Sequence, residues 1–215
     1  MSDNNIQSSE RVSGARISGT PVRAATKADA DALAATLARA FHDDPVTVHL
    51  IPDQARRAKT LPRMFKLLFK LGLPHGACFV TGGYEAVTLW RPPNGWHVTL
   101  WDYIVNTPEL LGIFGTGVLN VMDTMGRIEK LHPHTPHWYL QTIGTDPAMQ
   151  GKGFGGLILR SQLAVADAAG VPCYLESSKD TNLPIYKSFG FEVTGEIKIP
   201  NGPTLWPMWR AVPRA

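Results

Sequence analysis

Four of the six residues at 151–156 are glycine: Gly151, Gly153, Gly155 and Gly156, preceded by Gln150 and interleaved with Lys152 and Phe154. Glycine lets the backbone approach a ligand closely and turn its N–H groups toward one point, and a helix starting there adds the positive end of its dipole. Such a loop cradles an anion, and phosphate is the usual guest. Two familiar phosphate loops do not fit. The P-loop ends in Gly-Lys-Ser/Thr, whereas Lys152 is followed by Gly153; the dinucleotide loop needs GxGxxG and an acidic residue closing a second parallel strand, and here the glycines come too early and that residue is lacking. Other groups with chemical potential are fewer. Asp43 and Asp44 stand side by side before Pro45, at the unfavourable end of a helix dipole, and read either as a solvated loop or as an acidic lip that attracts a cation. His132, His134 and His137 have the look of metal ligands, but two prolines intervene and no acidic ligand is near in sequence, so no metal is expected. Cys78 and Cys173 match no metal spacing and read as reduced core thiols.

The elements that must position the glycine loop follow from local pattern. Trp138-Tyr139-Leu140-Gln141-Thr142-Ile143 is a β-favouring run, Gly144-Thr145-Asp146-Pro147 a turn, and residues 156–169 a helix with Leu159, Leu163 and Ala166 on one stripe, stopped by Gly170 and Pro172. A short strand follows at 172–176, ending on Glu176. Upstream, a strand near 21–25 precedes a helix capped by Thr26 with Asp29 three residues on, whose buried stripe is Leu33, Leu37 and Phe41. A second helix buries Leu61, Phe65 and Leu68, with Arg56, Arg57, Lys59, Lys66 and Lys70 as its wet face and Pro62 where it begins or bends. Residues 78–81 and 85–90 form a hairpin across Gly82-Gly83. Thr107-Pro108 opens a further helical region, and Val118, Val121, Met122 and Met125 continue a core stripe toward Leu131. A strand at 191–194, a turn at 200–203 and a last strand carrying Trp206 and Trp209, with Pro207 marking an edge, close the sheet.

The run Gln150-Gly151-Lys152-Gly153-Phe154-Gly155 fills the pattern Gln/Arg-x-x-Gly-x-Gly/Ala and resembles the pyrophosphate loop of the GNAT acyltransferases. In that superfamily the loop is followed by a helix, a short strand, and a second helix with a tyrosine just ahead of a Gly-Phe turn. Residues 182–191, NLPIYKSFGF, carry that tyrosine as Tyr186 before Gly190-Phe191. The runs HWYL, DPAMQGKGFG, YLESS and NLPIYKSFGFEVTGE are similar to the branch containing puromycin N-acetyltransferase, as are Leu89-Trp90-Arg91-Pro92-Pro93 and Phe41-His42-Asp43-Asp44-Pro45. The resemblance covers roughly residues 21–210.

It implies an α/β GNAT fold, a mixed and mostly antiparallel sheet flanked by helices, acting as an acetyl-CoA-dependent N-acetyltransferase on the primary amine of a small molecule, puromycin-like or another aminated natural product. The alternatives are acetylation of a protein lysine or N-terminus, and a non-catalytic CoA-binding sensor. Backbone groups around Ile143, Gly144 and Thr145 would hold the pantetheine arm, and Gln150, Gly151, Lys152, Gly153, Phe154, Gly155 and Gly156 the pyrophosphate, with Lys152 close to phosphate or facing solvent. Tyr186 would donate to the leaving thiolate. Many members carry an asparagine seven residues before that tyrosine; here the position is Lys179, and Asn182 stands four before it, as in the puromycin-type branch. Glu176 would take the amine proton directly or through water, unless its carboxylate is satisfied by backbone. Phe41, Asp43 and Asp44 belong to the region that the family uses for its acceptor.

A chain of 215 residues with 44% hydrophobic content is long for one average domain and short for two, so it reads as a polar tail at 1–20 and one domain at 21–215. The net charge of +3 is small, and the basic residues form no long run interleaved with aromatics, which argues against nucleic acid as a partner. No apolar segment of membrane-spanning length and no signal-peptide pattern is present, so a cytoplasmic monomer or homodimer without membrane association is expected.

Overall fold

The computed structural model describes residues 19–96 and 100–213, with side chains throughout except at 100–106. The expected tail at 1–20 therefore lies almost wholly outside the described residues. The chain opens with β1 (Val22–Ala24), α1 (Ala30–Ala40), α2 (Pro45–Leu50) and α3 (Gln54–Gly72). The hairpin β2 (Cys78–Thr81) and β3 (Ala86–Arg91) leads into α4 (Leu100–Phe114) and α5 (Val118–Leu131). The second half runs β4 (Trp138–Thr145), α6 (Phe154–Ala168), β5 (Cys173–Ser177), α7 (Leu183–Ser188), β6 (Glu192–Val193), β7 (Ile197–Lys198) and β8 (Thr204–Arg210).

The sheet order is β1-β2-β3-β4-β5-β8-β6, with β7 also paired to β8. Every pairing is antiparallel except β4 with β5, where α6 serves as the crossover that a parallel pair requires. That parallel ladder holds only Trp138↔Cys173 and Tyr139↔Tyr174 before the strands part. On its other side β4 pairs with β3 from Tyr139 to Thr145, with a register shift between Leu89 and Trp90 that leaves Gln141 as the extra, bulged residue.

Alternation along the strands sorts the core onto two faces. Val87 and Leu89 of β3 meet Leu33 and Leu37 of α1 and Leu61 and Phe65 of α3, whereas Trp90, Leu140, Leu175 and Met208 meet Leu159 and Leu163 of α6. Gly144 lets α1 lie against β4: a Cβ there would stand 2.8 Å from Leu37 Cδ2 and 2.9 Å from Ala40 Cβ. Both cysteines are free and buried, as expected. Among the described residues no helix is long and apolar enough to cross a membrane.

Five local expectations are corrected. Arg57 is buried, because its guanidinium donates to the carbonyls of His42, Ile51 and Pro52 at 2.6–3.0 Å and so closes the α2–α3 corner. Of the two readings of Pro62 the helix start is overturned, because α3 begins at Gln54 behind an Asp53 cap and Pro62 lies inside it. Pro108 likewise lies inside α4. Met122 and Met125 are exposed rather than core filler, since α5 turns Val118, Val121, Thr124 and Ile128 inward instead. Pro207 sits in β8, between β5 and β6, and its carbonyl accepts from Thr194 N at 2.9 Å where the β6 pairing ends.

The expected cap at Thr26 is part of a larger joint. The buried Asp29 carboxylate accepts from Thr26 N and Oγ1, from both terminal nitrogens of Arg23 at 2.6 and 2.8 Å, and from Tyr84 Oη at 2.5 Å, tying β1, the start of α1 and the β2–β3 turn. Arg23 first, then Tyr84, hold this carboxyl far below the usual carboxylate range. Hydrogen bonds to a charged group contribute about 1.5–3 kcal/mol each, so Asp29→Ala should cost roughly 3 kcal/mol net and lower Tm by about 6–12 °C. Because the folded pKa is depressed, the contribution is complete above the unfolded value of about 3.9 and declines only below it. Thermal melts should therefore show the same Tm difference at pH 7 and pH 5, and a smaller one at pH 3.

Candidate active site

Past Tyr139 the β5-facing edge of β4 opens onto a cleft of about 670 Å3. Ile143, Gly144 and Thr145 form one wall, Glu176 and Ser177 of β5 the opposite one, and the glycine loop at the start of α6 the end. One rim comes from Phe41 and Asp44, and the other from Asn182 and Tyr186. The fold thus gathers residues from more than 140 positions of chain around the place where two strands separate.

The glycine loop is shaped locally. Asp146 caps the short turn before it by accepting from Ala148 N at 3.0 Å, and is itself held by Arg39 at 2.6 Å. Gln150 Nε2 donates to Thr145 O at 3.3 Å and fastens the loop to the end of β4. Gly153 caps α6 at φ +89°, a backbone conformation that a β-branched residue does not tolerate. Gln150, Gly151, Gly153, Phe154, Gly155 and Gly156 all line the cleft. Phe154 turns its ring into the core beside Ala86 and Ile158, so what it offers the cleft is backbone. Lys152 is the exception: it is exposed, lies outside the cleft lining, and its Nζ approaches Met149 Sδ at 3.5 Å.

The acidic pair separates. Asp43 is exposed and outside the cleft lining, whereas Asp44 is buried in the cleft wall. Asp44 Oδ1 accepts from Val46 N at 2.9 Å and Thr47 N at 3.2 Å, capping α2, and Oδ2 accepts from Ser178 Oγ. The expectation of two acidic groups acting as one lip is thus corrected: proline at the first turn of α2 fixes the cap at Asp44 and leaves Asp43 pointing away. Tyr186 is half-buried, edge-on to Phe191, and its hydroxyl is pushed up to about 12 by burial first and by the charge of Asp44 second.

Glu176 lies on the opposite face of β5 from the α6 core, with its side chain 6% exposed. Its Oε1 stands 3.4 Å from His132 Nδ1, and His132 Nε2 stands 3.0 Å from His137 Nε2. An acidic neighbour for the histidines, absent from the run 132–137 itself, is thus supplied from β5. Among the described residues no cluster has the make-up of a metal site. Sequence reasoning did not find Ser178, the Gln141 bulge or the Glu176–His132 approach. Ser178 follows Glu176 closely enough to have drawn notice, but the other two arise from tertiary register alone.

Comparison with known proteins agrees with this geometry. Residues 73–191 match the acetyltransferase (GNAT) family. An uncharacterised N-acetyltransferase of Schizosaccharomyces pombe is 30% identical over 171 residues, which are 74% of this chain and 68% of that protein. A solved Corynebacterium glutamicum chain, described as histone acetyltransferase HPA2 and related acetyltransferase, superimposes with a TM-score of 0.68 at 27% identity, covering 91% of this chain and 98% of its own. Arylalkylamine N-acetyltransferase 2 of Aedes aegypti shares the fold, with a TM-score of 0.65 at 14% identity over 90% of this chain and 99% of its own. The matched family region spans more than half of the sequence and contains the parted strands, the glycine loop and Tyr186: the chain belongs to the GNAT family of acetyltransferases.

Proposed function

We propose that this N-acetyltransferase binds acetyl-CoA in the β4–β5 cleft and acetylates the primary amine of a small molecule, a puromycin-like or other aminated compound. The observation that carries the donor assignment is the parting of β4 and β5 directly beside the glycine loop. The residues present fit such a donor. A Cβ at Gly151 would meet nothing within 4 Å, and the open edge of β4 at Ile143, Gly144 and Thr145 offers backbone groups to an amide-bearing arm. Gln150 through Gly156 would take the pyrophosphate on backbone N–H groups at the start of α6. Acetyl-CoA supplies the activated acetyl group and a thiolate leaving group.

Glu176 removes a proton from the acceptor nitrogen, and Tyr186 donates toward the departing sulfur. With the tyrosine near 12 and a thiol near 8.5, full transfer would be uphill by about 5 kcal/mol, so the hydroxyl acts as a hydrogen-bond donor while charge develops. Asn182 lies at the same rim and would orient the donor's arm. A small acceptor is favoured by the Asp44–Ser178 hydrogen bond, which joins α2 to the loop after β5 and narrows the rim that a protein substrate would need open. The Aedes protein is named for arylalkylamines, which fits this reading, while the description of the Corynebacterium chain keeps protein lysine as the rival.

The donor assignment is tested by melting with saturating acetyl-CoA. Tm should rise, by mass action on the native state, and the rise should vanish in Gly153→Val. No rise in the parent, with CoA equally inert, removes the assignment. The acceptor is tested by thiol release with phenethylamine, puromycin, agmatine and a lysine-containing peptide; turnover of the peptide alone would transfer the reading to the protein-directed rival. Tyr186→Phe should lower kcat about 10²-fold with KM for acetyl-CoA nearly kept, since its contact strengthens as the thiolate forms. Asparagine still caps a helix, so Asp44→Asn tests charge with little loss of Tm. It should raise KM for cationic amines, most at low salt, whereas Asp43→Asn should leave KM unchanged.

A further inference from the structure

We propose that Glu176, His132 and His137 act as one proton-holding unit: His137 fixes the tautomer of His132, and His132 shares, through Glu176, the proton that the acceptor amine must lose. This rests on reading the cleft as an amine acetyltransferase site. The histidines do not touch the cleft and are positioning residues; Glu176 does touch it.

His132 and His137 are 3% and 1% exposed, and three contacts link them in a row. His137 Nδ1 lies 2.6 Å from Thr135 O, and a carbonyl only accepts, so His137 carries its hydrogen at Nδ1. Burial, the largest influence on this ring, lowers its pKa and keeps it neutral, which leaves Nε2 bare. At 3.0 Å from that bare nitrogen, His132 Nε2 must then donate. A neutral His132 consequently turns a bare Nδ1 toward Glu176 Oε1, 3.4 Å away. Two neutral imidazoles supply two protons to three contacts, and the contact left without one is that with Glu176. Consistently, Oε1 is buried and has no hydrogen-bond donor among the described residues. One added proton completes the row.

The neighbours leave that proton with this pair. Trp96 stacks on His132 with centroids 3.8 Å apart, and an aromatic face stabilises a cation. Tyr139 from β4 and Tyr174 from β5 present ring edges at 4.7 and 4.8 Å. Burial first and the Glu176 charge second raise both phenols, so each keeps its own proton. The buried Arg91 of β3 is the cation whose charge reaches Tyr139. In the step itself an ammonium N–H bond breaks, its electron pair stays on nitrogen, and the proton bonds to the Glu176 carboxylate. It is then shared between Oε1 and His132 Nδ1, and it leaves through the same carboxylate once the product has gone.

Ring-15N-histidine labelling with long-range proton–nitrogen correlation tests the arrangement without any acceptor. The expected spectrum has His137 protonated at Nδ1 and neutral His132 protonated at Nε2, with His132 signals that change in Glu176→Gln while the His137 tautomer holds. A neutral His132 protonated at Nδ1, or His132 signals indifferent to Glu176→Gln, overturns the proposal. A kinetic arm uses phenethylamine and acetyl-CoA with His132→Phe, which keeps a ring against Trp96 but holds no proton. At pH 7 kcat/KM should fall about 10-fold or more, and the loss should shrink as pH nears about 10, where the amine arrives neutral. A loss equal at every pH marks a purely structural histidine and overturns the proposal. If the parent does not acetylate phenethylamine, the acceptor reading fails separately, and the nitrogen spectra still decide the proton arrangement.

Discussion

The whole arrangement depends on a ladder that stops. Two pairs of residues hold β4 against β5, and the sheet then divides although both strands continue. Backbone groups in a protein interior must find partners, so a divided sheet is stable only where something else takes up the open edges. In this chain the glycine loop, the start of α6 and the rim of α2 surround the opening. Gly144 serves both sides of that division. Its missing side chain seats α1 on one face, while its backbone belongs to the opened edge.

The acidic and aromatic groups around the cleft show how a low-dielectric wall assigns roles. Asp44 raises the proton affinity of Tyr186 across the cleft while its own oxygens are engaged by α2 and Ser178. Glu176 faces the opposite surroundings: two phenols and an imidazole border it, yet among the described residues one oxygen lacks a donor. Two carboxylates of one cleft are thereby separated into a saturated one that shapes the wall and an unsaturated one able to accept a proton.

Much of this was legible in residue order. The glycine loop, the stripe of Leu159 and Leu163, the Thr26–Asp29 cap, the hairpin across Gly82-Gly83 and the tyrosine before Gly190-Phe191 are local signals, and local geometry fulfilled them. The misplacements of Arg57 and Met122 share a cause, because periodicity alone does not say which of several apolar or charged stripes a helix buries. Arg57 turned inward since three carbonyls at a chain corner needed a donor, and Met122 turned outward since Val121 and Ile128 were nearer the sheet. The bulge at Gln141 and the approach of His132 to Glu176 depend on register between distant strands and had no local trace.

The position of Asp44 bears on how acceptor range can drift in such a protein. One side chain is at once the first cap of a helix, the partner of a serine from another loop and a charged part of the cleft wall. A side chain with three obligations has few acceptable replacements, so new acceptors are more readily accommodated by changes at Phe41, which packs against Phe65 and has no hydrogen bond to lose through its ring. Variation in this cleft is thus channelled toward shape and away from charge: a chain that keeps the α2 cap keeps a negative wall, and what is free to change is the space beside it.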